Sequence, residues 1–275
     1  MKTPCRLVAS LVTSLGLVLP ASATTFSTDY SDIWYNAPAE SQAGWGVNIA
    51  QQRDILFVTM FIFDQANQPH WYVASNVNAT GPNSYTGQLF NIGSGTYFGA
   101  PWAGISGVAA VGNIAFTFNS PTTGSMTYTI NNVQVTKQIV RQSWRSDNLQ
   151  GNWFGGVVAA GSGCSTGILI NGEITVTHAQ PNISLRVEFT NNLNQPGICT
   201  YNGTYSQVGR MGAINNGSYS CTINGVGNAL SGTFSVSEMQ NSRTGFSGTT
   251  SGTASTGAGF LCNYSGYMGG VRDVF

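Results

Sequence analysis

The chain has 275 residues and only 7% of them are charged, ten basic against ten acidic, where globular domains carry about a quarter. No basic stripe is present to neutralise phosphates, which argues against nucleic acid as a partner. Gly, Ser, Thr and Asn replace charge, and with 11% aromatics such a surface suits an extracellular β protein that meets neutral, hydroxyl-rich or apolar molecules.

At the N-terminus Lys2 and Arg6 precede an apolar run over 7–19, followed by Ala21-Ser22-Ala23. A basic segment, a short apolar segment and a small-x-small site predict a signal peptide over 1–23. The run is about 13 residues long, too short to span a bilayer comfortably. Cys5 leaves with it, and its place before the run makes it a poor lipid acceptor. The ten basic residues lose Lys2 and Arg6 and become eight against ten acidic ones, a net charge near −2. The mature chain of about 250 residues has no other run of membrane length, and is expected in the periplasm or outside the cell.

Beyond the signal, alternation with period two replaces any helical period. It predicts strands at about 31–36, 45–52, 54–64, 69–77, 84–91, 111–119, 125–131 and 133–144. Turn chemistry separates them at 65–69, 81–83, 121–124 and 131–132. The stretch "NIGSGTYFGAPWAG" (91–104) reads as the one long loop and holds Tyr97, Phe98 and Trp102. After a junction near 141–153, strands follow at about 151–159, 166–178, 182–190, 198–208, 214–224, 229–237, 243–251 and 258–267. The expected fold is all-β and antiparallel, with two barrel-like or sandwich domains of about eight short strands each. They should occupy 24–147 and 148–275. Asn67-Gln68-Pro69 recurs as Asn194-Gln195-Pro196, each time after a strand ending near a Phe, a first sign of a shared plan.

The four mature cysteines, Cys164, Cys199, Cys221 and Cys262, all lie in the second half. An even count in an exported chain predicts two disulfides. No CxxC pair occurs and His178 is the only nearby histidine, so the spacing does not fit zinc. Cys199, Tyr201, Gly203 and Tyr205 share a strand face, as do Tyr219, Cys221 and Ile223, and Phe260, Cys262 and Tyr264. Polar residues intervene, so that face should be the core. Cys199 and Cys221 are equidistant from Arg210, and a tight hairpin there would oppose them and leave Cys164 for Cys262. The sequential pairing, 164–199 with 221–262, stands equally open.

Acid–base chemistry by Glu40 would need a second carboxylate or a histidine, and only Asp32 and Asp54 are near in sequence. Glu40 therefore reads first as a loop anchor. His70 has no accompanying nucleophile pattern, and no G-x-S-x-G occurs. His70 and His178 read as structural or solvent-facing, and no metal, cofactor or catalytic set is expected. Asp64 with Asn67 reads as an Asx-type turn rather than a calcium loop. The scattered Arg141, Arg145, Arg186, Arg210 and Arg272 should pair with the few acids or cover aromatic faces. Trp45 shares a face with Val47 and Ile49, and Trp71 with Val73, so both tryptophans are expected in the core. Aromatic faces also stack on sugar rings and bury apolar ligands. The candidate ligand contacts are Trp34, Tyr35, Glu40, Trp45, His70, Tyr72, Phe98 and Trp102, with the loop residues Phe98 and Trp102 foremost.

"DIWYNAPAESQAGWGVNIAQQ", a Phe-rich strand, and "NQPHWYVAS" resemble a family of exported proteobacterial proteins. That family carries a W-[WY]-N-P-x-E-S-G-W-G-[VIL]-N pattern and then a Y-[DG]-x-x-x-x-P-x-W-Y-V segment. The resemblance continues through "GTYFGAPW", "GSMTYTINNVQVTKQIVRQSWRSDNLQGNWFGG" and "CTYNGTYSQVGRMGAINNGSYSC" to "FLCNYSGYMGGVRD". The departures are Ala37 before Pro38, Gln42-Ala43 ahead of Gly44-Trp45-Gly46, and Phe63 where Tyr is usual. The resemblance implies export and no activity. The expected function is non-catalytic binding of a neutral ligand: a glycan, a small apolar molecule or a surface partner. The alternatives are a structural envelope or matrix component, and a hydrolase using Glu40 or His70.

Overall fold

The computed structural model describes residues 28–161, 164 and 167–273, so the predicted signal peptide lies outside the described residues. The chain is all-β. Eight strands form a first barrel: β1 (Asp32–Asn36), β2 (Gly46–Gln52), β3 (Ile55–Phe63), β4 (Pro69–Gly81), β5 (Ser84–Gly95), β6 (Ile105–Phe118), β7 (Thr123–Ile130) and β8 (Val133–Arg141). Eight more form a second: β9 (Gly151–Ala160), β10 (Ile168–Ala179), β11 (Asn182–Thr190), β12 (Pro196–Val208), β13 (Met211–Ile223), β14 (Val226–Asn241), β15 (Gly245–Thr256) and β16 (Gly259–Arg272). Each strand pairs antiparallel with the next, and the last closes on the first. Among the described residues no helix is long and apolar enough to cross a membrane.

Alternation supplies each core. β3 buries Leu56, Val58 and Met60, and β10 buries Ile170, Ile174 and Val176. Both barrels are filled by side chains, as eight-stranded barrels allow. Tyr30 stacks on Phe118 at 3.6 Å, and Trp34 sits 5.2 Å from the same ring. In the second barrel Tyr201 stacks on Tyr219 at 5.0 Å and meets Phe234 edge-on at 5.2 Å. Burial pushes the Tyr219 hydroxyl up to about 12, and burial, with Tyr219 beside it, pushes Tyr264 further up.

The second barrel repeats the first down to single hydrogen bonds. The Trp34 indole N–H donates to the Tyr30 carbonyl at 3.0 Å, and Trp153 donates to Leu149 at 2.9 Å. An arginine ending the last strand covers each ring, Arg141 at 4.9 Å over Trp34 and Arg272 at 4.6 Å over Trp153. The same residues face each other in the closing ladders. In the β3–β4 turn Asp64 Oδ1 accepts the Ala66 and Gln68 N–H groups, both at 2.8 Å. In the β11–β12 turn Asn191 Oδ1 accepts those of Leu193 and Gln195, both at 2.9 Å. Asn67 and Asn194 both take φ 58°. In the β6–β7 turn Ser120 Oγ accepts from Thr122 and Thr123, and in the β14–β15 turn Ser242 Oγ accepts from Thr244 and Gly245. The Asn-Gln-Pro recurrence is thus one of several matched corners.

The cysteines pair as Cys199–Cys221 and Cys164–Cys262. The β12–β13 turn is Gly209-Arg210, and the register slips by one at a bulge between Asn202 and Thr204. Beyond that bulge Cys199 lies directly opposite Cys221, with Cα atoms 4.0 Å apart. Cys199, Tyr201, Tyr205, Tyr219, Cys221, Cys262 and Tyr264 all face the core. The side chain of Phe260, expected with them, lies outside the described residues.

The two barrels meet across a polar contact. Asp32 Oδ2 accepts from Arg141 Nη1 at 3.1 Å and from the Arg210 backbone N–H at 3.0 Å. The Arg210 guanidinium pairs with Asp29. Gly209 N–H donates to Ser143 Oγ at 2.7 Å, and Thr28 donates to Glu238 at 3.1 Å. Arg141, wholly buried, also donates to the Pro121, Ser31 and Asp29 carbonyls.

Two expectations are corrected. Trp71 is 54% exposed rather than core, whereas its neighbours Tyr72 and Ala74 point inward. The parity of β4 is as expected, but both its faces carry apolar residues, so parity does not choose between them. The long loop shrinks to 96–104, because β5 runs to Gly95 and β6 begins at Ile105. Residues 105–110 are exposed on both faces, so solvent imposes no alternation that would have marked them as strand.

Candidate functional site

The loop between β1 and β2 returns through Gly44-Trp45-Gly46. Gly44 has φ 89°, and a Cβ there would lie 2.7 Å from the Phe63 ring. The Trp45 N–H donates to the Gln42 carbonyl at 3.1 Å, which turns the indole into the barrel end. It packs above Val47 and Ile49, with its N–H near the Tyr128 hydroxyl but without good hydrogen-bond geometry. Burial holds Tyr128 above its usual range, so the phenol stays protonated. Outside, Lys137 lies 5.8 Å over the Trp45 ring and donates to Gln42 Oε1 at 2.7 Å.

Gly46 faces outward on β2, beneath the Tyr35 ring, where a Cβ would stand 3.5 Å from that ring. Without side chains at 44 and 46, the wall is indented. The result is an open cleft of about 250 Å³ lined by Ile33, Tyr35, Phe61 and Trp144 around residues 44–48. The register sets Gly46 opposite Phe61, and Phe61 opposite Trp71. A band of rings therefore crosses β1 to β4 on the outer wall. Phe61 is 50% exposed, Trp71 54% and Trp144 70%. No lining residue is charged, and Asn48 supplies an amide. Aromatic faces beside amide and backbone groups can stack on a ring and bond its hydroxyls.

The candidate residues separate. Tyr35 and Trp45 line the cleft. Trp34 and Tyr72 are buried in the first core, where Arg141 covers Trp34 and the His70 ring lies 6.2 Å from that of Tyr72. Glu40 is exposed in the β1–β2 loop, with φ 65°. His70 Nε2 bonds Asp64 Oδ2 at 3.0 Å on the β3–β4 hairpin, and no hydroxyl or thiol bonds to it among the described residues. The Gln68 N–H, then His70 and Ala66, hold the Asp64 carboxyl below its usual range. Phe98 and Trp102 are 93% and 73% exposed on the β5–β6 connection, a different element. Among the described residues no three His, Cys, Asp or Glu converge as metal ligands. Ile33, Phe61 and Trp144 were not foreseen. The usable signals were the second apolar face of β3 (Phe57, Phe61, Phe63) and a lone Trp in the polar junction "RQSWRSD".

A scan against protein-family models finds no match to this chain, and a search of curated proteins finds none either.

Proposed function

We propose that the chain is an exported, non-catalytic binding protein whose first barrel holds a neutral glycan in the cleft over Gly44 and Gly46. The observation that carries this reading is the cleft's composition: Tyr35, Phe61 and Trp144 rings, one amide, and no charge. A charge-free aromatic floor favours the apolar faces of pyranose rings over phosphates or carboxylates. Two disulfides in one barrel suit an oxidising compartment. Export through residues 1–23 and kinship with the exported proteobacterial family belong to the same proposal.

Titrating the mature protein with neutral oligosaccharides should change tryptophan fluorescence saturably. Trp144→Ala and Phe61→Ala should each raise Kd about tenfold, the loss of one ring contact worth on the order of 1.4 kcal/mol. Gly46→Val, which fills the cleft while keeping every ring, should weaken binding as much. A folded protein silent across a broad panel of neutral glycans would sink the reading.

A further inference from the structure

The β5–β6 hairpin outruns its barrel. β5 pairs with β4 only as far as Asn91, and β6 pairs with β7 only from Ile114 onward, with the Val111 carbonyl still accepting the Asn131 N–H at 2.9 Å. Past Asn91 and Val111, Ile92 faces Val108, Ser94 faces Ser106 and Gly95 faces Ile105, so among the described residues the two strands there pair with each other alone. The connection at 96–104 holds Tyr97 (67% exposed), Phe98 (93%) and Trp102 (73%), and Ile105 and Val108 follow, about half exposed.

This ribbon has three properties that seldom coincide. Its side chains are apolar and aromatic at the tip. Not one Asp, Glu, Lys or Arg occurs from Gln65 to Thr136. And the tip bonds several of its polar groups internally. Thr96 N–H and Oγ1 both donate to the Gly104 carbonyl, at 3.2 and 3.1 Å. Thr96 Oγ1 accepts from Ala103 at 2.8 Å, and Ala100 donates to the Tyr97 carbonyl at 3.0 Å. The Ser94 and Ser106 hydroxyls bond each other.

We infer that the hairpin tip, residues 97–105, inserts into the headgroup layer of a neutral lipid bilayer and anchors the protein peripherally. Trp and Tyr favour that layer because their rings are apolar and their edges polar. Lipid charges heavily for unbonded backbone groups, and the internal bonds of the tip reduce that cost. A partner surface of either charge would find no counter-charge here, whereas a zwitterionic bilayer requires none. A projecting ribbon reaches a planar surface that the barrel wall cannot lie flat against. The inference does not rest on the glycan reading, which concerns another face of the barrel.

The test is flotation of the mature protein with phosphatidylcholine vesicles. The protein should float with them, and adding phosphatidylglycerol or salt should leave the bound fraction unchanged. A Phe98→Ser, Trp102→Ser double variant should lose at least tenfold in partitioning while keeping its circular dichroism and unfolding midpoint, since both side chains are exposed. Brominated acyl chains should quench a fluorescence component that Trp102→Phe removes. The inference fails if the folded protein does not float, binds only anionic vesicles, or floats equally well as the double variant. It fails too if the tip instead drives a dimer in sedimentation that the double variant abolishes, with no vesicle binding.

Discussion

His178 illustrates how one buried contact fixes a protonation state. Its Nδ1 accepts the Leu149 N–H at 3.1 Å, so the ring is neutral with its proton on Nε2. Nε2 is buried with no hydrogen-bond partner among the described residues, beside the Tyr205 ring, which meets the imidazole edge-on at 4.8 Å. Burial lowers the His178 pKa below the unfolded value of 6.5. Between those two values the unfolded chain binds more protons than the folded one. Its stability contribution is therefore complete above about 6.5 and is lost as pH falls toward the folded value. Urea midpoints compared at pH 7.5 and 5 should drop on acidification, and His178→Gln, which still accepts from Leu149, should reduce that drop. A drop unchanged in the variant would assign it to other groups. Little of this was legible beforehand. The sequence places His178 beside a turn, but its partner Leu149 comes from the junction 29 residues earlier.

At the scale of elements, the matched turns predict which residues can be exchanged. Asp64 and Asn191 perform the same task, each accepting two backbone N–H groups through one side-chain oxygen. Asp64→Asn should leave the denaturation midpoint nearly unmoved, because the exposed pair with His70 contributes little. Asn191→Ala strands both donors and should cost on the order of 1 kcal/mol by chemical denaturation. Equal effects of the two changes would remove the turn's claimed role. Strand positions were legible wherever one face is wet and the other dry, which covers most of both barrels. Reading failed where that contrast vanishes: in the ribbon, wet on both faces, and in β3 and β4, apolar on both. The cleft was half legible for a related reason. Tyr35 and Trp45 sit in a conspicuous motif, but Phe61 passes for core, and Trp144 joins only when the junction folds back past β1.

For the whole molecule, the contact between barrels decides whether they unfold as one. Gly209 has φ 61°, and a Cβ there would stand 2.7 Å from Arg141 Cβ and closer still to Asp32 Oδ2. Gly209→Ala should therefore part the β12–β13 turn from the first barrel without touching either core. Calorimetry should show one transition for the parent and two for the variant. A single transition in both would mean that the polar contact does not couple the barrels. No pattern in the sequence announces this contact, because Asp29, Asp32, Arg141 and Arg210 are scattered and acquire meaning only when the closed sheets meet.

Both disulfides lie in the second copy of the repeat, and among the described residues the first copy contains no cysteine at all. Two halves built on one plan therefore mature under different rules. The half made first can reach its final form in any redox setting, from its own packing alone. The half made last becomes covalently locked only where thiols are oxidised, so the redox state of its surroundings, rather than the plan of the fold, sets when the molecule is finished.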